Sequence, residues 1–205
     1  MKKISALLLV IALIFTACKS HNKTILVYAN SDIQVDDSKK NIVVQDGTTH
    51  VEKELTFSGS DPVALNIQGP GGKYTLEAKE DGLYIANLKS DTVVGSLQHV
   101  GETAHTRMTQ DQLKANLDSL NKLIRNENIT SANKNYFIAP GKIVRLSAFT
   151  KAKVFGPFTS IPSAFDAGSV PEIYKFYNLS EVRDIIGKLT EMSKYKEGNE
   201  TPGGE

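Results

Sequence analysis

Val63-Ala64-Leu65-Asn66-Ile67-Gln68-Gly69-Pro70-Gly71-Gly72-Lys73-Tyr74-Thr75-Leu76-Glu77-Ala78 is the stretch that decides the fold class. Val63, Leu65 and Ile67 alternate with small or polar residues. That period of two places one apolar row on one face of a strand. Gly69-Pro70-Gly71-Gly72 breaks the run, and Tyr74, Leu76 and Ala78 resume it. The glycines also invite a phosphate-loop reading, which the spacing excludes. Ile67 stands where the first glycine is required, Tyr74 where Ser or Thr is, and no helix comes after it. The stretch therefore predicts a hairpin.

The same grammar extends outward. Thr24-Ile25-Leu26-Val27-Tyr28 and Ile42-Val43-Val44 are apolar runs, the second closed by Asp46-Gly47. Thr49, Val51, Lys53, Leu55 and Phe57 alternate with His50, Glu52, Glu54 and Thr56. After Asp81-Gly82 come Leu83-Tyr84-Ile85-Ala86, then Thr92-Val93-Val94. Short strands with turn signals between them predict an Ig-like antiparallel β-sandwich over residues 24–101.

The pattern then changes. Thr109 with Gln112 makes a capping box, and Leu113, Leu117, Leu120 and Ile124 line one helical face, with Asn126 and Asn128 as stops. Ile143–Leu146 and Lys153–Phe155 read as a strand pair. Pro157, Pro162, Gly168 and Pro171 argue against long regular structure in the next segment. Ser180, with Asp184 behind it, is read as the cap of a last helix whose stripe is Val182, Ile185, Ile186, Leu189 and Met192. The expectation is thus an α+β, β-rich chain. The sandwich is followed by a helix plus mixed α/β region over 102–193 and a disordered tail over 194–205.

The first eighteen residues concern destination. Met1-Lys2-Lys3 is basic, and Ile4–Phe15 is apolar apart from Ser5. The run is shorter than the ~20 residues of a spanning helix and has the flanks of a signal peptide, assigned to 1–17. Phe15-Thr16-Ala17-Cys18 resembles a bacterial lipobox, so the chain resembles a bacterial lipoprotein. That resemblance implies cleavage by signal peptidase II before Cys18 and acylation of Cys18 by fatty-acid (palmitate) groups. The lipid bilayer is then a partner. Lys19 rather than Asp comes next, and no acidic cluster does. The resemblance therefore implies the outer membrane, facing the periplasm. Residues 18–23 are expected to be a lipid-anchored linker, with Lys19 and Lys23 facing the headgroups and the body held close to the bilayer.

Composition narrows the activity without naming it. The 24 basic and 23 acidic side chains nearly cancel, which gives no reason to expect nucleic acid. The single cysteine, Cys18, excludes an intramolecular disulfide, and the acylation that the resemblance implies commits it to lipid rather than to catalysis. His99, Glu102 and His105 form His-x-x-Glu-x-x-His, read as a polar connector rather than a metal site because Gly101 and Thr103 work against a helix there. No Gly-x-Ser-x-Gly elbow occurs, and His50 lies on the polar face of its strand. No catalytic residue, metal ligand or cofactor is assigned. Between Asn128 and Phe165 no acidic residue occurs, while Lys142, Arg145, Lys151 and Lys153 fall there among aromatics. Those four are the candidate surface for an anionic ligand. The expected function is a non-enzymatic binding or scaffolding module whose partners are envelope proteins or anionic envelope polymers. The alternative is a small envelope hydrolase acting on glycan or peptide through carboxylates.

Overall fold

The protein is described through a computed structural model that covers residues 21–36, 38, 40–98, 109–130, 132–162, 165, 168 and 170–199. Cys18, the signal peptide, the His99–His105 motif and residues 200–205 lie outside these. Among the described residues, twelve strands and two helices succeed one another. They are β1 (Asn22–Ala29), β2 (Ile33–Asp36), β3 (Asn41–Val44), β4 (Val51–Ser58), β5 (Val63–Gly69), β6 (Gly72–Ala78), β7 (Gly82–Asn87) and β8 (Val93–Gln98). Helix α1 (Gln110–Ile124) comes next, then β9 (Asn135–Ile138), β10 (Lys142–Ser147), β11 (Lys153–Phe155), β12 (Ile173–Asn178) and α2 (Leu179–Asn199). The chain is α+β and β-rich, as expected.

The strands form three four-stranded sheets rather than the two of a simple sandwich. The central sheet has the order β10-β7-β1-β4, an outer sheet β2-β3-β5-β6, and a third sheet β11-β12-β8-β9. The sheets are mixed, since β1 runs parallel to β7, β3 to β5 and β11 to β12. Alternation assigns the faces. Ile25, Val27 and Ala29 of β1, with Tyr84 and Ala86 of β7, pack on the outer sheet through Leu65, Ile67 and Leu76. Tyr28, Leu83 and Ile85 point the other way, onto Val93, Tyr174 and Phe176 of the third sheet. β1 and β7 are therefore covered on both faces, which is why they read as unbroken apolar runs while β4, β5 and β6 alternate. A Cβ at Gly95 would come within 2.5 Å of Phe176, so only glycine lets that ring seat against β8.

The helices cover the far face of the third sheet. Val94 meets Leu123 of α1 and Val182 of α2 there. The capping box of α1 forms as predicted, with Thr109 Oγ1 accepting from the Gln112 N–H and Gln112 Oε1 from the Thr109 N–H. Its stripe is rotated from the expected one. Leu113 and Leu123 are the buried residues and Leu117 is only half-buried.

Several expectations are corrected. The predicted sandwich does not close on itself, because β8 leaves for the third sheet and β10, from the second half of the chain, joins the central one. β10 and β11 do not pair, since β10 binds β7 and β11 binds β12. Residues 194–199 continue α2 rather than forming a disordered tail. Helix α2 begins at Leu179, not after Ser180. The side chain that reaches back is Glu181, which accepts from the Asn178 N–H at 2.7 Å, and not Asp184. Finally, Asn22 and Lys23 belong to β1 and not to a linker.

Candidate functional site

β1 has two ends, and they differ in chemistry. At its start, Lys23 is fully buried rather than facing headgroups. Its ammonium donates to the Gly59 carbonyl at 3.0 Å and lies 3.4 Å from Asp81 Oδ1. His21 bonds the other oxygen of Asp81, and this hydrogen bond chiefly holds that carboxyl below its usual range. The starts of β1 and β7 and the end of β4 are thereby tied together, in agreement with the Asn22–Ser58 and Lys23–Gly82 register.

At the other end of β1 five connections converge on a cleft of about 410 Å³. They are the turn after β1 at Asn30, the β3–β4 connection at Gln45–Gly47, the β5–β6 hairpin at Gly69–Gly71, the loop after β7 at Leu88–Ser90, and the β9–β10 turn at Pro140–Gly141. Val44, Ile67 and Tyr74 supply apolar lining. The Asn30 amide donates to Ser90 Oγ at 2.9 Å, and Ser31 Oγ donates to the Gln45 carbonyl, which fixes the rim. Burial pushes the Tyr74 phenol up from its ordinary pKa.

Lys89 contributes to this cleft only as a wall. Its ammonium turns inward, donating to Asn178 Oδ1 at 2.9 Å and lying 3.4 Å from His50 Nδ1. His50 Nε2 in turn meets Glu52 Oε1 at 2.8 Å. A neutral imidazole satisfies both contacts if Nδ1 accepts from Lys89 and Nε2–H donates to Glu52. The His50 ring lies edge-on to Tyr28 and Phe158, and Lys89 sits 5.5 Å from the Phe158 centroid. Phe158 is 63% exposed and holds a positive φ of 65°, a strained backbone for an aromatic residue. Burial lowers the Lys89 pKa, opposed by Asp91, Glu181 and Glu52. Lys175, buried like Lys23 and Lys89, donates to the Thr159 and Phe176 carbonyls at 2.6 and 3.0 Å. This polar network ties the 156–160 loop to strands of the central and third sheets. Sequence reasoning misses it because its members lie far apart in the chain, and the alternation around His50 points to a solvated polar face.

The four basic residues expected to share a surface are distributed. Lys142 and Arg145 lie on β10, at the edge of the central sheet, while Lys151 and Lys153 lie at or beside β11, at an edge of the third. Arg145 is committed, since Nε and Nη2 donate to the Asp81 carbonyl and Nη1 meets Glu80 at 2.5 Å. Lys142, Lys151 and Lys153 remain exposed.

Three carboxyl groups are shifted among the described residues, Asp81, Glu127 and Glu172, and all are held low. Burial alone would raise Glu172, but hydrogen bonds from Lys134, Ser147 and Tyr174 outweigh it. None of the three is poised as a proton donor at neutral pH. No group of three or more His, Cys, Asp or Glu side chains arranged to hold a metal occurs among the described residues. No helix among them is long and apolar enough to cross a membrane. No family model matches the chain, no curated protein is similar to it, and no solved structure matches its fold.

Proposed function

We propose that this protein is an envelope lipoprotein, anchored through acylated Cys18 in the outer membrane facing the periplasm, that binds a ligand at its membrane-distal end. The observation that carries this is the course of β1. The strand begins at Asn22 and His21 is held by Asp81 and the Gly59 N–H, leaving Lys19 and Ser20 as the leash, two residues with at most ~7 Å of reach. It ends at Ala29, immediately before the cleft residue Asn30. Eight residues of strand separate the two, about 26 Å at ~3.3 Å per residue. The anchor thus holds one end of the body at the bilayer and presents the loop-built cleft away from it. Loops on a rigid sheet scaffold are where binding sites concentrate, and the cleft falls in the size range of ligand sites, ~300–1,000 Å³.

The partner is thus a component that reaches the body from the periplasmic side, an envelope protein or polymer. The test places a photo-crosslinking residue at exposed Gln45 on the cleft rim or at exposed Ser60 at the anchor end, in the full lipidated protein. Specific crosslinks from Gln45 and none shared with Ser60 are expected. Crosslinks from Ser60 alone would mean that the working face is against the membrane.

A further inference from the structure

We infer that the membrane-distal cleft accepts a neutral oligosaccharide. The inference rests on the reading above, that the cleft is the binding site.

The first observation concerns glycines that the fold does not need. A Cβ on Gly71 would meet nothing within 4 Å, and one on Gly69 only Val44 at 3.5 Å, an ordinary contact. Neither residue is among those with positive φ, unlike Gly72 and Gly141. Backbone conformation and packing both leave room for a side chain at 69 and 71. What the missing side chains do is keep the cleft open, so that a ligand approaches the backbone closely.

The second observation is charge. The one lysine in the wall, Lys89, has its ammonium turned into the interior onto Asn178 and His50. The other ionised group of the wall is Asp46, which is exposed. An anion in the cleft would meet a carboxylate and no free ammonium of the wall, the exposed Lys142 lying in the adjoining groove with Glu77.

The third is the pairing of polar and apolar surface. Gln45 and Asp46 bring amide and carboxylate oxygens to the wall, and Gln45 a donor as well, the group types that hydroxyls bond. Tyr74, whose ring atoms would lie 3.7 Å from a Cβ at Gly141, brings an aromatic surface with a polar tip to the same cleft. Tyr74 and Gly141 also begin a groove of about 520 Å³ between β6 and β10, bordered by Thr75, Glu77 and Lys142. Cleft and groove share these two residues, so a bound unit can continue as a chain. The cleft is walled mostly by turns, and its Val44 and Ile67 belong to the interior strands β3 and β5, whose ladders are already paired, whereas the groove runs between the edge strands β6 and β10. Hydroxyl-bonding groups beside an aromatic face favour a sugar chain at the cleft, and the peptide in the test reports on strand addition at the groove.

The test uses the full lipidated protein in detergent, titrated calorimetrically with chitotetraose, maltotetraose and cellotetraose. A tetragalacturonate and an acetylated tetra-alanine amide serve as contrasts. Saturable binding of at least one neutral tetrasaccharide is expected, weakened about tenfold or more by Gly71→Leu at unchanged melting temperature. Should Gly71→Leu lower the melting temperature, Gln45→Ala with Asp46→Asn reads the same wall from exposed positions, and unchanged affinity there overturns the inference. Binding of none of the three sugars overturns it, as does preference for the uronate or the peptide. The two readings fail differently. If Gly71→Leu abolishes the Gln45 crosslinks while no sugar binds, the cleft stands and its ligand class falls. If those crosslinks persist, the site itself falls.

Discussion

Replacing Tyr28 by Phe removes one oxygen from the interior and keeps the ring. Tyr28 is fully buried in β1, and its hydroxyl donates to the Gly156 carbonyl at 2.7 Å across 128 residues of sequence. The lost bond is worth about 0.5–1.5 kcal/mol net, and a carbonyl left buried without a partner costs about 1–3 kcal/mol. Gly156 is itself buried, so water does not readily replace the hydroxyl. The expected loss is therefore about 1–3 kcal/mol. For a body of this size that corresponds to a fall in Tm of roughly 3–10 °C. Tyr84→Phe is the control. Its hydroxyl also bonds a carbonyl, that of Glu80, at 2.6 Å, but Glu80 is exposed and its carbonyl can be hydrated. A loss of at most about 1 kcal/mol is expected there. Thermal melts of both variants give the comparison, and amide exchange around Phe158–Thr159 locates the effect. Equal Tm losses, or unchanged exchange in that loop for Tyr28→Phe, would refute the idea that this hydroxyl pins the loop to the central sheet.

The same structure sets other outcomes. Leu113→Ala, at a fully buried helix position, is expected to cost about 2–5 kcal/mol, and Leu117→Asp less than a buried charge would, because Leu117 is half-exposed; urea midpoints rank them. Above pH 10 stability is expected to fall. Burial raises the folded pKa of Tyr28, Tyr74, Tyr84, Tyr136 and Tyr177, so their contribution is complete below the unfolded value of about 10 and is lost as pH rises through the folded values. Lys89 and Lys175, lowered by burial, act in the opposite sense just below the ordinary lysine value. Chemical denaturation across this pH range measures the net effect, and ultraviolet detection of phenolate follows the tyrosines. On the acid side Glu172, held low, contributes stability above its unfolded pKa that is lost as pH falls through the folded one, and Glu172→Gln is expected to flatten that limb. Truncation after Ser193 removes the exposed Tyr195 and is expected to leave Tm within about 1 °C.

Local order is legible in the sequence because its causes are local. Thr109 and Gln112 are three residues apart, and the alternation through Leu55 or Leu65 needs only a strand and one covered face. Asn126 ends α1 with a positive φ of 59°, as its type suggests. Sheet membership is not legible. The apolar runs of β1 and β7 announce burial on both faces, yet they do not say which sheets do the covering. Nothing in Ile143–Leu146 distinguishes a partner at β7 from one at β11. β12, Ile-Tyr-Lys-Phe-Tyr-Asn, carries its own β signal, but Pro157, Pro162 and Pro171 just before it argue against regular structure and mask that signal. The cleft is built from five turns and the Lys89 network from residues 39 and 89 positions apart, so neither leaves a motif.

The central claim is that anchor and cleft lie at opposite ends of the body. With Cys18 acylated, an introduced cysteine is the one free thiol in the chain. Ser60→Cys and Asp46→Cys proteins, each carrying a fluorophore, are reconstituted in vesicles containing a headgroup-labelled acceptor, and energy transfer gives each site's height above the bilayer. The account predicts strong transfer from position 60 and weak transfer from position 46, with heights differing by about 20–26 Å, the length of β1. Equal transfer from both sites, or stronger transfer from position 46, would contradict it.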